Sequence, residues 1–358
     1  MALEPRSKRR APRPPHRILK FFLLILTGAL FFAGTYGYHV YSQLKNAVDK
    51  TYEPLDGHTL HSDITGDDPI SFLLLGTDTG AFGRKDRGNS DTMIVVTISP
   101  DKKRTTMTSI PRDTMAQIYD ENGKATGIQK INAAYNIGNS KAAVKTVEKL
   151  LNIPIDYYVT INMAGLEKIV NAVGGVDVNV PFSWTDSNTG GQHFKKGPAH
   201  LNGSRALAYA RMRYEDPEGD YGRQKRQQEV IESIVKSALS VKTLGNYQEV
   251  FDSMSNSLRM NLTFDDVLTI AEKYNADAKT IKSSQLKGVG AYIGDGAYEI
   301  PSTEALQKAS DKIRTEMGLE KETLDNVNTQ QNAKNINFDW ESGNNPTYTI
   351  FDDEGAEN

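Results

Sequence analysis

No cysteine occurs among the 358 residues. Disulfide scaffolds, thiol nucleophiles and thiolate metal sites are therefore excluded, and redox state says nothing about compartment. Histidine is scarce too: the 6 present are scattered, His58 and His61 in a polar stretch, His193 and His200 in a Gly-rich one. None has the helical spacing of a zinc site. There is no Walker A loop, because Gly123-Lys124 lacks the upstream glycine spacing and a following Ser or Thr. A G-x-S-x-G nucleophile elbow is absent as well, so neither NTPase nor serine-hydrolase chemistry finds support.

Long apolar runs are missing with one exception. Phe21 to Leu44 contains no charged residue, and FFLLILTGALFFAGTYGYHV at 21–40 is long enough to cross a hydrocarbon core of about 30 Å at about 1.5 Å per residue. Before it stand Arg6, Lys8, Arg9, Arg10, Arg13, Arg17 and Lys20 against Glu4 alone, while the rest of the chain is acidic on balance. That asymmetry orients the N-terminus to the cytoplasm and the body outward. The run is long for a cleaved signal and has no A-x-A site, which favours a retained single-pass anchor in the cell membrane. An acidic body without a basic surface run also makes nucleic acid a poor ligand. The chain divides into a basic head (1–20), a transmembrane helix (21–41), a polar stalk (42–69) broken by Pro54, Gly57, Gly66 and Pro69, a folded domain (70–317) and a tail (318–358). The tail is rich in Asn, Asp, Glu and Thr with few apolar positions and reads as flexible and acidic.

Within the domain, SFLLL at 71–75, TMIVVTIS at 92–99 and residues 105–110 are short apolar runs bounded by turn residues, the pattern of buried strands. Ala143, Val144, Val147, Leu150 and Leu151 recur at helical spacing ahead of Pro154. A strand at 157–161, a helix stripe through Leu166, Ile169, Val170 and Val173, and a strand at 176–180 follow. Val230, Ile231, Ile234, Val235 and Leu239 give a helix over 224–240, and Thr263 with Asp266 caps one over 263–274. This alternation predicts an α/β sandwich.

Three groups of residues could carry chemistry. Asp78 directly follows one buried strand and Asp91 directly precedes the next, so both carboxylates sit at one end of adjacent strands. There they could hold Mg²⁺, which prefers oxygen ligands, or serve simply as turn residues. Arg112 and Asp113, in SIPRDT at 109–114, emerge where Pro111 ends a strand; they could face a cleft or form a surface ion pair. In RMRYEDPEGDYGRQKRQ at 211–227, Arg211 and Arg213 share a side if the chain is extended, and Arg223 and Arg226 share a helix face. Guanidiniums beside a helix N-terminus make an anion site, unless Glu215, Asp216, Glu218 and Asp220 neutralise them pairwise.

These segments, with KINAAYNIG at 130–138, LLNIPIDYYVTIN at 150–162, VGGVDV at 173–178 and LNGSRALAYARMR at 201–213, resemble the LytR-CpsA-Psr family in order from residue 76 to residue 227. The resemblance implies an α/β fold with a central mixed sheet flanked by helices, an α-β-α domain, and a phosphotransferase. Such an enzyme moves an anionic glycopolymer, a teichoic acid or capsular polysaccharide, from an undecaprenyl-pyrophosphate carrier to peptidoglycan through a phosphodiester. It further implies Arg112, Arg211, Arg213, Arg223, Arg226 and Gln227 as pyrophosphate ligands, and Asp78 and Asp91 as a magnesium or manganese site. Arg112, Arg226 and Asp91 are the catalytic candidates, with Asp91 as proton acceptor. Asn89 departs from the family's usual Arg before Ser-Asp, so one phosphate contact is either missing or taken over by Arg84 or Arg87. Two other readings are a membrane-anchored regulator, against which the short cytoplasmic head argues, and a polyprenyl-pyrophosphate hydrolase.

Overall fold

The computed structural model describes residues 35, 38, 39, 41–43, 45–55, 64–78, 88–186, 191–238, 257–341 and 347–351. The expected span at 21–41 falls almost wholly outside them. Among the described residues no helix is long and apolar enough to cross a membrane.

The apolar runs pair as a meander. Strands β1 (Ile70–Thr77), β2 (Ser90–Ser99) and β3 (Arg104–Ser109) lie antiparallel, and the hairpin β4 (Met115–Tyr119) and β5 (Ala125–Lys130) follows. Helix α1 (Ala133–Leu151) crosses over to β6 (Tyr157–Asn162), which joins β1 in parallel. After α2 (Met163–Ala172) come β7 (Val176–Val180), the short pair β8 (Trp184–Asp186) and β9 (Gln192–Phe194), and β10 (Gly197–Leu201), which pairs with β7. Helices α3 (Gly203–Arg211) and α4 (Asp220–Ala238) lead to β11 (Leu258–Met260) and α5 (Phe264–Lys273), whose capping box is the expected Thr263–Asp266 pair. The chain continues through β12 (Ile281–Gln285), the hairpin β13 (Val289–Ile293) and β14 (Gly296–Ile300), α6 (Thr303–Glu316) and α7 (Val327–Lys334).

The central sheet has the order β11-β6-β1-β2-β3-β12 and is mixed. Period-two alternation along the strands makes two cores. Leu73, Leu75, Met93 and Val95 face α1 and α6, whereas Phe72, Ile94, Val96 and Met107 face the layer that holds α5. Each fully buried aliphatic contributes about 1.5–3 kcal/mol, so the sheet is held from both sides. This is the α-β-α arrangement expected.

Two boundaries need correction. The region 42–69 is not a detached stalk where it is described: Ala47, Val48 and Thr51 are fully buried. There, Glu53 N–H donates to Met260 O at 2.8 Å. Nor, where it is described, is the region from 318 onward a flexible tail. Leu324, Asn328, Gln331, Asn332, Phe338 and Tyr348 are buried against the domain. Its composition misleads because Asn side chains serve as ties. Asn328 Nδ2 donates to Met115 O at 2.7 Å and Asn326 Nδ2 to Leu150 O at 2.8 Å, so polar groups are buried with their partners.

Candidate functional site

Between the sheet and helices α2, α3 and α4 lies a cavity of about 470 Å³. Its floor is Leu74, Val159 and Ile161, strand positions on the face opposite α1. Its roof is α4, where Gln227, Val230, Ile231, Ile234 and Val235 recur on one stripe. From Arg223 to Val235 that stripe runs about 18 Å at about 1.5 Å per residue. One end of the cavity is charged: Asp78, Asp91, Arg112, Arg211, Arg213 and Arg223 all line it.

Each charged residue is delivered by local structure. Asp91 is the extra residue of a β-bulge: Gly76 pairs with Thr92 and Thr77 with Ser90, so residue 91 has no partner on β1. Bulges turn a side chain out of the regular alternation. Gly76 is required beside it, because a Cβ there would stand 2.8 Å from Thr92 Cβ. Asp78 lies against Gly88, whose φ of +63° suits glycine and where a Cβ would meet Asp78 Oδ1 at 2.6 Å. Arg112 Nη1 donates to Asp91 Oδ1 at 2.6 Å, and Asp113, held by Lys130 Nζ at 3.0 Å, lies 3.6 Å from Arg112 Nε.

Arg211 and Arg213 reach the site differently from the extended alternation expected. Arg211 ends α3, which Asn202 caps by accepting from Arg205 N–H at 3.0 Å. Met212 is buried beyond it, and Arg213 then lies 3.8 Å from Asp220. Asp220 also pairs with Arg223 at 2.5 Å. Burial pushes the Arg223 guanidinium below its ordinary value. Asp220 and Asp91 oppose that push, while Arg112 and Arg213 add to it. On Arg112 burial acts the same way, but Asp91, Asp113 and Asp220 outweigh it and hold the group above its ordinary value. Arg223 Nε is buried without a hydrogen-bond partner. A buried donor without an acceptor costs about 1–3 kcal/mol, and an anion in the cavity would remove that cost.

Arg226 is not part of this end. Its side chain is 3% exposed and does not line the cavity. It pairs with Asp216, donates to Tyr209 O at 2.9 Å and to Met212 O, and lies over the rings of Trp184 and Tyr209. The expectation of Arg226 as ligand and catalyst is thereby corrected. At about 100° per residue it falls on the flank of the cavity stripe, toward α3. Asn89 does not line the cavity either, and Arg84 and Arg87 lie outside the described residues. Sequence reasoning missed the apolar wall itself: Val230 to Val235 reads equally as core.

The LytR_cpsA_psr family profile matches residues 37–317. The chain belongs to that family. It is 41% identical over 283 residues to the polyisoprenyl-teichoic acid–peptidoglycan teichoic acid transferase TagU of Enterococcus faecalis, covering 78% of this chain and 91% of that one. To Biofilm regulatory protein A of Streptococcus mutans it is 37% identical, over 87% of this chain and 80% of the relative. A solved structure of TagT bound to LIIa-WTA superposes with a TM-score of 0.62 at 30% identity, covering 75% of this chain and 100% of that one. The α-β-α layering is thus that of solved members of the family.

Proposed function

We propose that the chain is a phosphotransferase that moves an anionic glycopolymer from a polyprenyl-pyrophosphate carrier onto peptidoglycan. The observation that carries this reading is the joining of an apolar track and a guanidinium cluster in one cavity. A long hydrocarbon tail suits Leu74, Ile161, Ile231 and Ile234, and a pyrophosphate suits Arg112, Arg211, Arg213 and Arg223, with Gln227 at the junction. The TagU and TagT relatives support a teichoic acid as the polymer; a capsular polysaccharide has the same anionic chemistry.

An acceptor sugar hydroxyl attacks the glycan-side phosphorus, forming a new P–O bond as the bond to the bridging oxygen breaks. Lipid monophosphate leaves, and the hydroxyl proton passes to Asp91. Charge on the non-bridging oxygens is spread over the guanidiniums, so transfer needs no covalent nucleophile. Asp78 and Asp91 provide a donor set that fits a magnesium or manganese ion. Two carboxylates, completed by substrate phosphate and water, are a usual Mg²⁺ environment. Such an ion would add Lewis-acid neutralisation of the phosphates. The basic head and the apolar run at 21–41 would hold this domain on the outer face of the membrane.

The test is transfer by the purified full chain supplied with lipid-linked donor and peptidoglycan acceptor. Polymer should become acceptor-linked as lipid monophosphate appears. Monophosphate release at the same rate without acceptor would instead identify a hydrolase.

A further inference from the structure

The described residues 318–341 and 347–351 lie beyond those the family profile matches, yet they are tied to both sides of the arginine cluster. On one side, Asn328 Nδ2 donates to Met115 O at 2.7 Å, just after the Arg112–Asp113 turn. On the other, Tyr348 N–H donates to Tyr292 O at 2.7 Å, and Phe338 and Tyr348 pack on Ala291 and Ile300 of the β13–β14 hairpin. Asn332 locks the two together: it donates to Pro301 O at 3.0 Å and accepts from the Tyr348 hydroxyl at 2.6 Å.

That hairpin carries Glu299. Its backbone N–H donates to Asp113 O at 2.9 Å, beside Arg112. Its carboxylate accepts from the Tyr221 hydroxyl and from Gly288 N–H at 3.2 Å. Tyr221 lies in the first turn of α4 beside Asp220, the partner of Arg223 and Arg213. Gln285 Nε2 fixes the same turn by donating to Tyr221 O at 2.7 Å. Neither Glu299 nor Tyr221 lines the cavity. Glu299 therefore touches the supports of Arg112 and of Arg223 without touching the site.

We propose that Glu299 is a positioning residue, braced by Asn328, Asn332, Phe338 and Tyr348, that sets Arg112 and Arg223 relative to each other around the anion. The ligand in this statement rests on the pyrophosphate reading; the brace does not. Two guanidiniums that must engage one anion together lose affinity when either drifts, because bidentate contacts depend on fixed geometry.

The test uses the full chain in detergent, followed by hydrogen exchange and by titration with inorganic pyrophosphate. Glu299→Ala keeps the backbone bond to Asp113 but removes the carboxylate that Tyr221 engages, so it should raise exchange about tenfold at 219–226 while leaving α1 unchanged. It should also weaken pyrophosphate binding about tenfold. Glu299→Gln keeps an acceptor oxygen for Tyr221 and should restore most of both. Tyr348→Ala should reproduce the pattern from the far end of the brace. Binding losses from Glu299→Ala and Arg223→Ala should fail to add. Unchanged exchange at 219–226 in Glu299→Ala, or losses that add, would overturn the proposal. Wild-type protein that shows the exchange pattern but binds no pyrophosphate would remove the ligand reading and leave the brace standing.

Discussion

Arg226 and Asp216 form an ion pair sealed from solvent on both sides, each side chain 3% exposed. Removing one partner of such a pair strands the other as a buried, unpaired charge. Arg226→Ala should therefore cost about 3–5 kcal/mol of folding stability, read by denaturant unfolding. Gly222→Ala should act in the same direction, because a Cβ at 222 would run into the Asp216 carboxylate. Native stability with loss of transfer alone would return Arg226 to the cavity.

Arg223 should behave in the opposite way. Its charge is disfavoured by burial and its Nε has no acceptor. Arg223→Ala should leave the thermal midpoint within a few degrees of wild type while lowering transfer by about 100-fold. A large fall in midpoint would make its role structural.

The apolar track gives a chain-length prediction. Ile231→Trp would fill the cavity beside Leu74 and Ile161. It should raise KM about tenfold for donors with long prenyl tails and much less for short ones, since each buried CH₂ is worth about 0.8 kcal/mol. Equal effects on both donors would take the tail out of this cavity.

A pH prediction follows from Glu316, at the end of α6. Burial pushes its carboxyl up, but Arg104 and Lys102 beside it prevail and hold it below the usual range. A depressed folded value stabilises the protein above the unfolded glutamate value of about 4.3, and this is lost as pH falls through the folded value. Arg104→Gln should lower stability at neutral pH, and the gap from wild type should close in strong acid. Parallel unfolding curves at every pH would contradict this.

Most of the charged end was legible in the sequence, because each residue there is fixed by something local. Strand ends announce Asp78 and Asp91, and Pro111 announces the Arg112 turn. What failed was the assignment of faces. Arg211-Met-Arg213 reads as an alternating strand, but Asn202 starts a helix that ends at Arg211 and tucks Met212 inward. Arg226 carries the same charge as Arg223 and lies one turn away, yet Trp184 and Tyr209, distant in sequence, claim it. The region after residue 318 misled for a third reason. Low hydrophobicity normally forbids a core, but here amides bonded to backbone carbonyls supplement the few apolar contacts made by Leu324, Phe338 and Tyr348.

The bulge at Asp91 has a consequence for how this position can vary. Because residue 91 is supernumerary to the ladder, deleting it would let Ser90 and Thr92 continue the pairing with Thr77 and Gly76 in register. Substitution and deletion there are therefore different experiments: one changes a functional group, the other restores an ordinary sheet. The carboxylate occupies a place that the pairing of the two strands does not itself require.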